Sequence, residues 1–220
     1  MGLILNIDTS LETASVSIAK DGEILASLVN EVQKEHASFL HVAIGQLLKK
    51  VAIKPADLDA IAVTEGPGSY TGLRVGMASA KGMSYALGKP FITVGTLEAM
   101  ALQAIHLSNE DVMYCPLIDA RRMEVYTAIY DKELEVLLQP CAMILTEHSF
   151  AEQLAKGKII FSGNGAQKWK SLTSSAHAAF ADVKEIAAAI SILSEKKFVQ
   201  EKFTQLAHSE PLYIKEFYNG

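Results

Sequence analysis

Two stretches of this chain begin alike, and the likeness limits the folds open to it. "LILNID", residues 3–8, is an apolar run ending in Asp8; the alternating "TASVSIAKDGEILASLV" follows, with Asp21-Gly22 between its halves. Asp-Gly between alternating runs is a strong hairpin signal, because both residues accept the positive φ of a two-residue turn. "MYCPLID", residues 113–119, ends the same way in Asp119. "ARRMEVYTAIYD" then alternates through Val125, Thr127 and Ile129, and "KELEVLLQP" reads as the return strand. A strand ending in Asp and followed by a hairpin therefore occurs twice, which reads as a loose internal duplication.

Between the two units, Leu40, Ile44, Leu47, Leu48 and Val51 recur at helical spacing and predict a helix with one apolar face over 36–53. "LDAIAV" and "FITVG" predict further strands, so the first part is an α/β lobe. In the second, a helix near 147–156, the strand "KIIFSG" and a helix in "ADVKEIAAAISILSEK" are expected. The sequence predicts two lobes, 1–100 and 101–220, with the option that the last helix and tail pack back on the first. No low-complexity linker separates them.

The net charge of −5 argues against a protein that grips nucleic acid alone, since non-specific affinity needs a basic face. Any role near nucleic acid is expected to run through a partner. No apolar run reaches the roughly 18–20 residues that span a bilayer. The start lacks the basic and long apolar regions of a signal peptide, and Asn6 breaks a myristoylation motif. Cys115 and Cys141 stand apart, as reduced thiols would. A cytoplasmic protein is expected.

"TEGPGSYTGLRVGMASAKGMSYALGKP", residues 64–90, is where the chain looks most like an enzyme. It fails the P-loop spacing, and Gly66, Gly68 and Gly72 give GxGxxxG, one residue too long for a dinucleotide fingerprint. A turn of exposed N–H groups at a helix start could still hold an anion, with Ser69, Tyr70 and Thr71 adding hydroxyls and Thr71 capping the helix. The other reading is that Gly66-Pro67-Gly68 only turns the chain. Beyond it, Gly72, Gly76, Ala80, Ser84 and Gly88 recur every fourth residue. Interior glycine costs about 1 kcal/mol relative to alanine, so this bare ridge needs a close neighbour. That neighbour is either the lobe's own sheet or a helix of another subunit.

Catalytic constellations are scarce. His36 and His41 are five apart and cannot chelate one metal from a helix face. Asp8 and Asp119 could bind a metal–nucleotide from two lobes, or serve as turn and cap carboxylates. "DARRMEVY" sets Arg121, Arg122 and Glu124 beside a strand end, to recognise an anion or a partner carboxylate, or as a charged turn.

Together, "LNIDTSLETASVSI", the glycine stretch, "LIDARRMEVYTAIY" and the late "PLYI" resemble the bacterial TsaB (YeaZ) family over essentially the whole chain. The resemblance implies an actin-like/Hsp70-like ATPase (ASKHA) fold of two lobes with ribonuclease-H-like cores. It also implies a non-catalytic subunit in the formation of threonylcarbamoyladenosine at position 37 of tRNAs that read codons beginning with A. The partners implied are the transferase TsaD, the ATPase TsaE and, indirectly, tRNA and the threonylcarbamoyl-adenylate made by TsaC, with a homodimer when the chain is alone. Unlike TsaD, this sequence has no His-x-x-x-His after the glycine helix, only "FITVGTLEAM", so no metal site is carried over. A vestigial nucleotide or anion cleft is expected at Asp8, Thr9, Ser10, Gly66, Gly68, Ser69, Thr71, Gly163 and Gly165, with ATP or ADP bound weakly, mainly at the interface with TsaD. The docking surface is expected at Leu40, Ile44, Leu47, Gly72, Gly76, Ala80 and Ser84, so that Gly76→Leu would block pairing and leave the monomer folded. The competing readings are a metal-dependent glycoprotease-like peptidase and an ATP-binding enzyme of the same superfamily.

Overall fold

The computed structural model describes residues 1–32 and 35–215, and divides them into two compact units. Unit 1 comprises Met1–Thr96 and Glu185–Leu212, and unit 2 comprises Leu97–Lys184 with the chain from Tyr213 onward. The chain therefore passes into unit 2 after Thr96, returns at Glu185 and leaves again after Leu212. The last five residues, 216–220, lie outside the described residues.

Unit 1 is built on β1 (Leu3–Asp8), β2 (Ala14–Lys20), β3 (Glu23–Asn30), β4 (Ala60–Gly66) and β5 (Phe91–Gly95), in the order β3-β2-β1-β4-β5. The hairpin strands run antiparallel to their neighbours, whereas β4 and β5 are parallel to β1. Helices α1 (His36–Val51) and α2 (Tyr70–Leu87) make the crossovers that parallel pairing requires. Side chains alternate across a strand. Leu5 and Ile7 of β1 accordingly join Leu40, Leu47, Met77 and Ala80 of these helices in one core, while Asn6 between them serves the opposite face.

That opposite face is covered by α6 (Ala187–Val199). Ser194 Oγ donates to Asn6 Oδ1 at 2.6 Å, Asn6 Nδ2 reaches Ser191 Oγ at 3.4 Å, and Ser191 Oγ also donates to the Ala187 carbonyl. A buried polar group costs stability unless it is bonded, and each member of this cluster has a partner. The segment after α6 then runs along the edge strand β5, where the Thr204 N–H donates to the Phe91 carbonyl at 2.8 Å. An unpaired strand edge invites association, and this contact covers part of it.

Unit 2 repeats the plan with β6 (Met113–Asp119), β7 (Glu124–Tyr130), β8 (Val136–Ile144), β9 (Ile159–Ser162) and β10 (Ala178–Ala181), in the order β10-β9-β6-β7-β8. Strand directions match those of unit 1 position for position. The duplication read from Asp8 and Asp119 is thus a duplication of the whole ribonuclease-H-like sheet, and the expected α/β class holds. Three helices differ from expectation or add to it: α3 (Thr96–Ser108) fills the stretch read as a boundary, α4 (Ala151–Lys156) is shorter, and α5 (Ala166–Lys170) is additional. The core of unit 2 centres on Trp169, which meets Phe150 edge-on at a 5.3 Å centroid separation and Phe161 at 5.8 Å. Trp169→Ala is expected to cost about 3–5 kcal/mol, read as a lower denaturation midpoint of unit 2; a midpoint within error of the parent would contradict this packing account.

Candidate functional site

The site grows from the end of β1. Parallel pairing sets Ile7 opposite Val63, so the next residues along, Asp8 and Thr64, meet at the sheet's end. Thr64 Oγ1 donates to Asp8 Oδ1 at 2.8 Å, and the same oxygen accepts the Ser10 N–H at 2.9 Å and Ser10 Oγ at 2.6 Å. Burial pushes the Asp8 carboxyl above the usual carboxylate range, against the opposing pull of these bonds to Ser10 and Thr64 and of nearby His36. The turn after β1 is thereby fixed, with the Thr9 and Ser10 carbonyls facing the glycine stretch.

Those carbonyls pack directly against the glycine turn. The Ser69 N–H donates to the Ser10 carbonyl at 2.7 Å, and Thr9 Oγ1 donates to the Gly72 carbonyl at 2.7 Å. Ser69, rather than Thr71, caps α2 by accepting the Gly72 N–H at 3.3 Å; Thr71 is exposed in the first turn. A Cβ on Gly68 would stand 2.2 Å from the Ser10 carbonyl oxygen, and one on Gly72 would stand 2.0 Å from that of Thr9. Gly66, at φ 120°, is closed from the other side by the Leu212 backbone, whose N–H donates to the Glu65 carbonyl at 2.6 Å. The glycines therefore admit the chain's own backbone.

The ridge on α2 continues this contact, which corrects the expected docking surface. A Cβ at Gly76 would lie 2.3 Å from Thr9 Oγ1. Ala80 and Ser84 are buried below it, as are Leu40, Ile44 and Leu47 of α1. All seven residues face the interior of unit 1, because the small residues match the close approach of the β1 turn and the sheet. Gly76→Leu would therefore disturb the fold, contrary to the sequence expectation. The outward faces are different: Ala78, Gly82 and Ala86 on α2, and His41, Val42 and Gln46 on α1. His41 Nε2 and Ser79 Oγ share a hydrogen bond at 3.3 Å that ties the two helices together.

Unit 2 repeats the device. A Cβ at Gly163 would stand 2.6 Å from the Leu117 carbonyl oxygen, and the Gly165 N–H donates to that oxygen at 2.9 Å. Here the strand-end carboxylate is exposed and neutralised instead of buried: Lys168 Nζ lies 2.6 Å from Asp119 Oδ1. Asp119 Oδ1 also accepts the Arg121 N–H at 2.6 Å, and Glu124 Oε2 pairs with Lys215 Nζ at 2.6 Å. Arg121 and Arg122 stand exposed at the tip of this hairpin with φ of 70° and 48°. Positive φ costs a residue with a Cβ roughly 1–2 kcal/mol. Among the described residues, no group of three or more His, Cys, Asp or Glu is placed to hold a metal ion, and no helix is long and apolar enough to cross a membrane.

Comparison with known proteins fits this geometry. Residues 23–214 match the family model described as TsaD, tRNA N6-adenosine threonylcarbamoyltransferase. The tRNA threonylcarbamoyladenosine biosynthesis protein TsaB of Escherichia coli is 30% identical over 224 residues, covering 96% of this chain and 94% of that protein. Its namesake in Bacillus subtilis is 35% identical over 136 residues, 62% of this chain and 58% of that protein. The chain belongs to the TsaB (YeaZ) family. A Pseudomonas aeruginosa structure described as similar to peptidase YEAZ superposes with a TM-score of 0.86 at 23% identity, over 98% of this chain and 100% of that one. The activator of 2-hydroxyisocaproyl-CoA dehydratase from Clostridium difficile, solved with bound ADPNP, shares the fold at a TM-score of 0.50, 10% identity and 93% and 99% coverage. The ASKHA-type α/β fold expected from the sequence is the one observed.

In this TsaB-family chain the Asp8 carboxyl carries a pH signature. Its raised folded pKa means that the fold favours the protonated form. The contribution of Asp8 to stability is complete below the ordinary carboxylate value of 3.8 and declines as pH rises from there through the folded pKa. Asp8→Asn keeps an acceptor for all three bonds to Oδ1, so it is expected to melt above the parent at neutral pH, with the gap closing as pH falls towards the ordinary carboxylate range. A gap that is constant with pH would contradict the assignment. The glycines give a second contrast, readable by thermal unfolding. Gly72→Ala is expected to lose about 1–3 kcal/mol by overpacking. Gly82→Ala, whose Cβ meets nothing within 4 Å, should gain about 1 kcal/mol of helix propensity.

Proposed function

We propose that this chain is a non-catalytic, activating subunit in threonylcarbamoyl transfer to adenosine 37 of tRNA, working in the cytoplasm by docking a TsaD-type enzyme and enabling a TsaE-type ATPase. The outward face of α1 and α2 carries the reading. Ala78, Gly82 and Ala86 recur there every four residues as an exposed strip of small residues. Tyr85 stands beside it 80% exposed, and Val42 on α1 is 60% exposed. Small residues that let backbones approach, flanked by an aromatic anchor, suit helix-on-helix docking. The same face serves a homodimer when the chain is alone.

A supporting role for the chain, in place of catalysis, is favoured by the glycine turn, where the Ser69 and Gly72 N–H groups are already bonded within the chain. A nucleotide phosphate would have to compete with them, so ATP or ADP is expected to bind the isolated chain weakly and to find its place mainly at the junction with the partner. Titration calorimetry with ATP and magnesium should give no micromolar binding; micromolar binding with turnover would favour an enzyme of the same superfamily. Gly82→Leu adds bulk to the outward face, where a Cβ meets nothing within 4 Å. It is expected to abolish co-elution with the TsaD-type partner and the stimulation of tRNA modification in a reconstituted reaction, with the melting temperature held or raised. Unchanged co-elution would sink the docking face.

A further inference from the structure

The hairpin between β6 and β7 has a chemistry that its own packing does not use. Arg121 and Arg122 occupy consecutive positive-φ positions at its tip, where Asn-Gly would fit without strain. The turn closes through the Ala120 N–H to the Glu124 carbonyl at 3.0 Å and the Glu124 N–H to the Arg121 carbonyl at 3.1 Å, bonds that need no arginine side chain. The neighbouring carboxylates are engaged elsewhere, Asp119 with Lys168 and Glu124 with Lys215. Neither guanidinium has an ion-pair or hydrogen-bond partner among the described residues. Among the described residues the tip therefore presents two unneutralised guanidinium groups, on a chain whose formal net charge is −5. Backbone strain retained for side chains that hold no partner among the described residues points to a ligand.

We propose that Arg121 and Arg122 form a phosphodiester contact, through which the chain touches the RNA backbone of the tRNA while its partner supplies most of the affinity. This rests on the reading of the chain as a subunit in tRNA modification. Arginine's planar donor fork matches a phosphate's oxygens, and two adjacent forks suit the repeating phosphates of one strand. The acidic remainder of the chain repels RNA, which confines the contact to this tip and accounts for a charge balance unsuited to binding RNA alone.

The test measures tRNA binding by the TsaD-type enzyme, alone and with this chain, across a salt series. R121G/R122G and R121K/R122K are compared with the parent, and co-elution with the enzyme is scored on the same samples. The parent chain is expected to tighten tRNA binding. R121G/R122G should weaken it about tenfold and lower the slope of log K against log salt by about 1–2, one increment for each phosphate released. Its melting temperature should be no lower than the parent's, since glycine takes positive φ freely; a fold defect is thus told apart from the loss of phosphate binding. R121K/R122K should keep the salt slope and recover part of the affinity. The proposal is overturned if the parent adds nothing to tRNA binding, or if R121G/R122G leaves affinity and slope unchanged. It is equally overturned if that variant loses the enzyme instead of the RNA, which would make the arginines a protein–carboxylate contact. Failure of the parent itself to co-elute would bring down the functional reading and this inference with it. Intact co-elution with unaltered RNA binding brings down the inference alone.

Discussion

The 2.7 Å bond from the Ser69 N–H to the Ser10 carbonyl is the contact on which the first unit turns. It joins the end of β1 to the start of α2 and can form only because Gly68 and Gly72 have no side chains in the way. Around it, Thr9 fills the space left by Gly76, and Asp8 gathers Ser10 and Thr64. The turn, the helix start and the sheet end become one packed object. The Ser69 and Gly72 N–H groups are both used inside the fold, and glycine richness alone gives no hint of that.

The second unit applies the same geometry with different electrostatics. Gly163 and Gly165 close on Leu117 much as Gly68 and Gly72 close on Ser10 and Thr9. Yet Asp8 is desolvated and held by neutral donors, whereas Asp119 lies in the open beside a lysine. Duplication preserved the backbone solution, because tight apposition of a strand end and a glycine turn tolerates few alternatives. It left the charges free to diverge, and the exposed pair at Arg121 and Arg122 belongs to that divergence.

Much of this is legible in the sequence, for identifiable reasons. Strand-then-Asp-then-hairpin marks two copies of one unit, since a period of two and a turn dipeptide are local signals. Helix α3 escapes such a reading because it is buried nearly all round from Thr96 to Ala104, which erases the apolar stripe that marks a surface helix. The α2 ridge is visible but cannot be given its neighbour: small residues at every fourth position announce a close approach, not what approaches. Thr64 and Lys168 are hidden for another reason. Each acts on a strand-end aspartate across a long sequence separation, 56 and 49 residues, and only strand register or a helix placement brings them there.

The return of the chain at Glu185 sets an order on events at the ribosome. Asn6 is made before any of unit 2, and its partner Ser194 follows 188 positions later. Until then the first sheet has one face covered by α1 and α2 and the other bare. Unit 2, apart from its short final segment, is drawn from one uninterrupted stretch, so nearly all of it can be complete before unit 1 closes. The half of the molecule that is synthesised first is the half that is finished last.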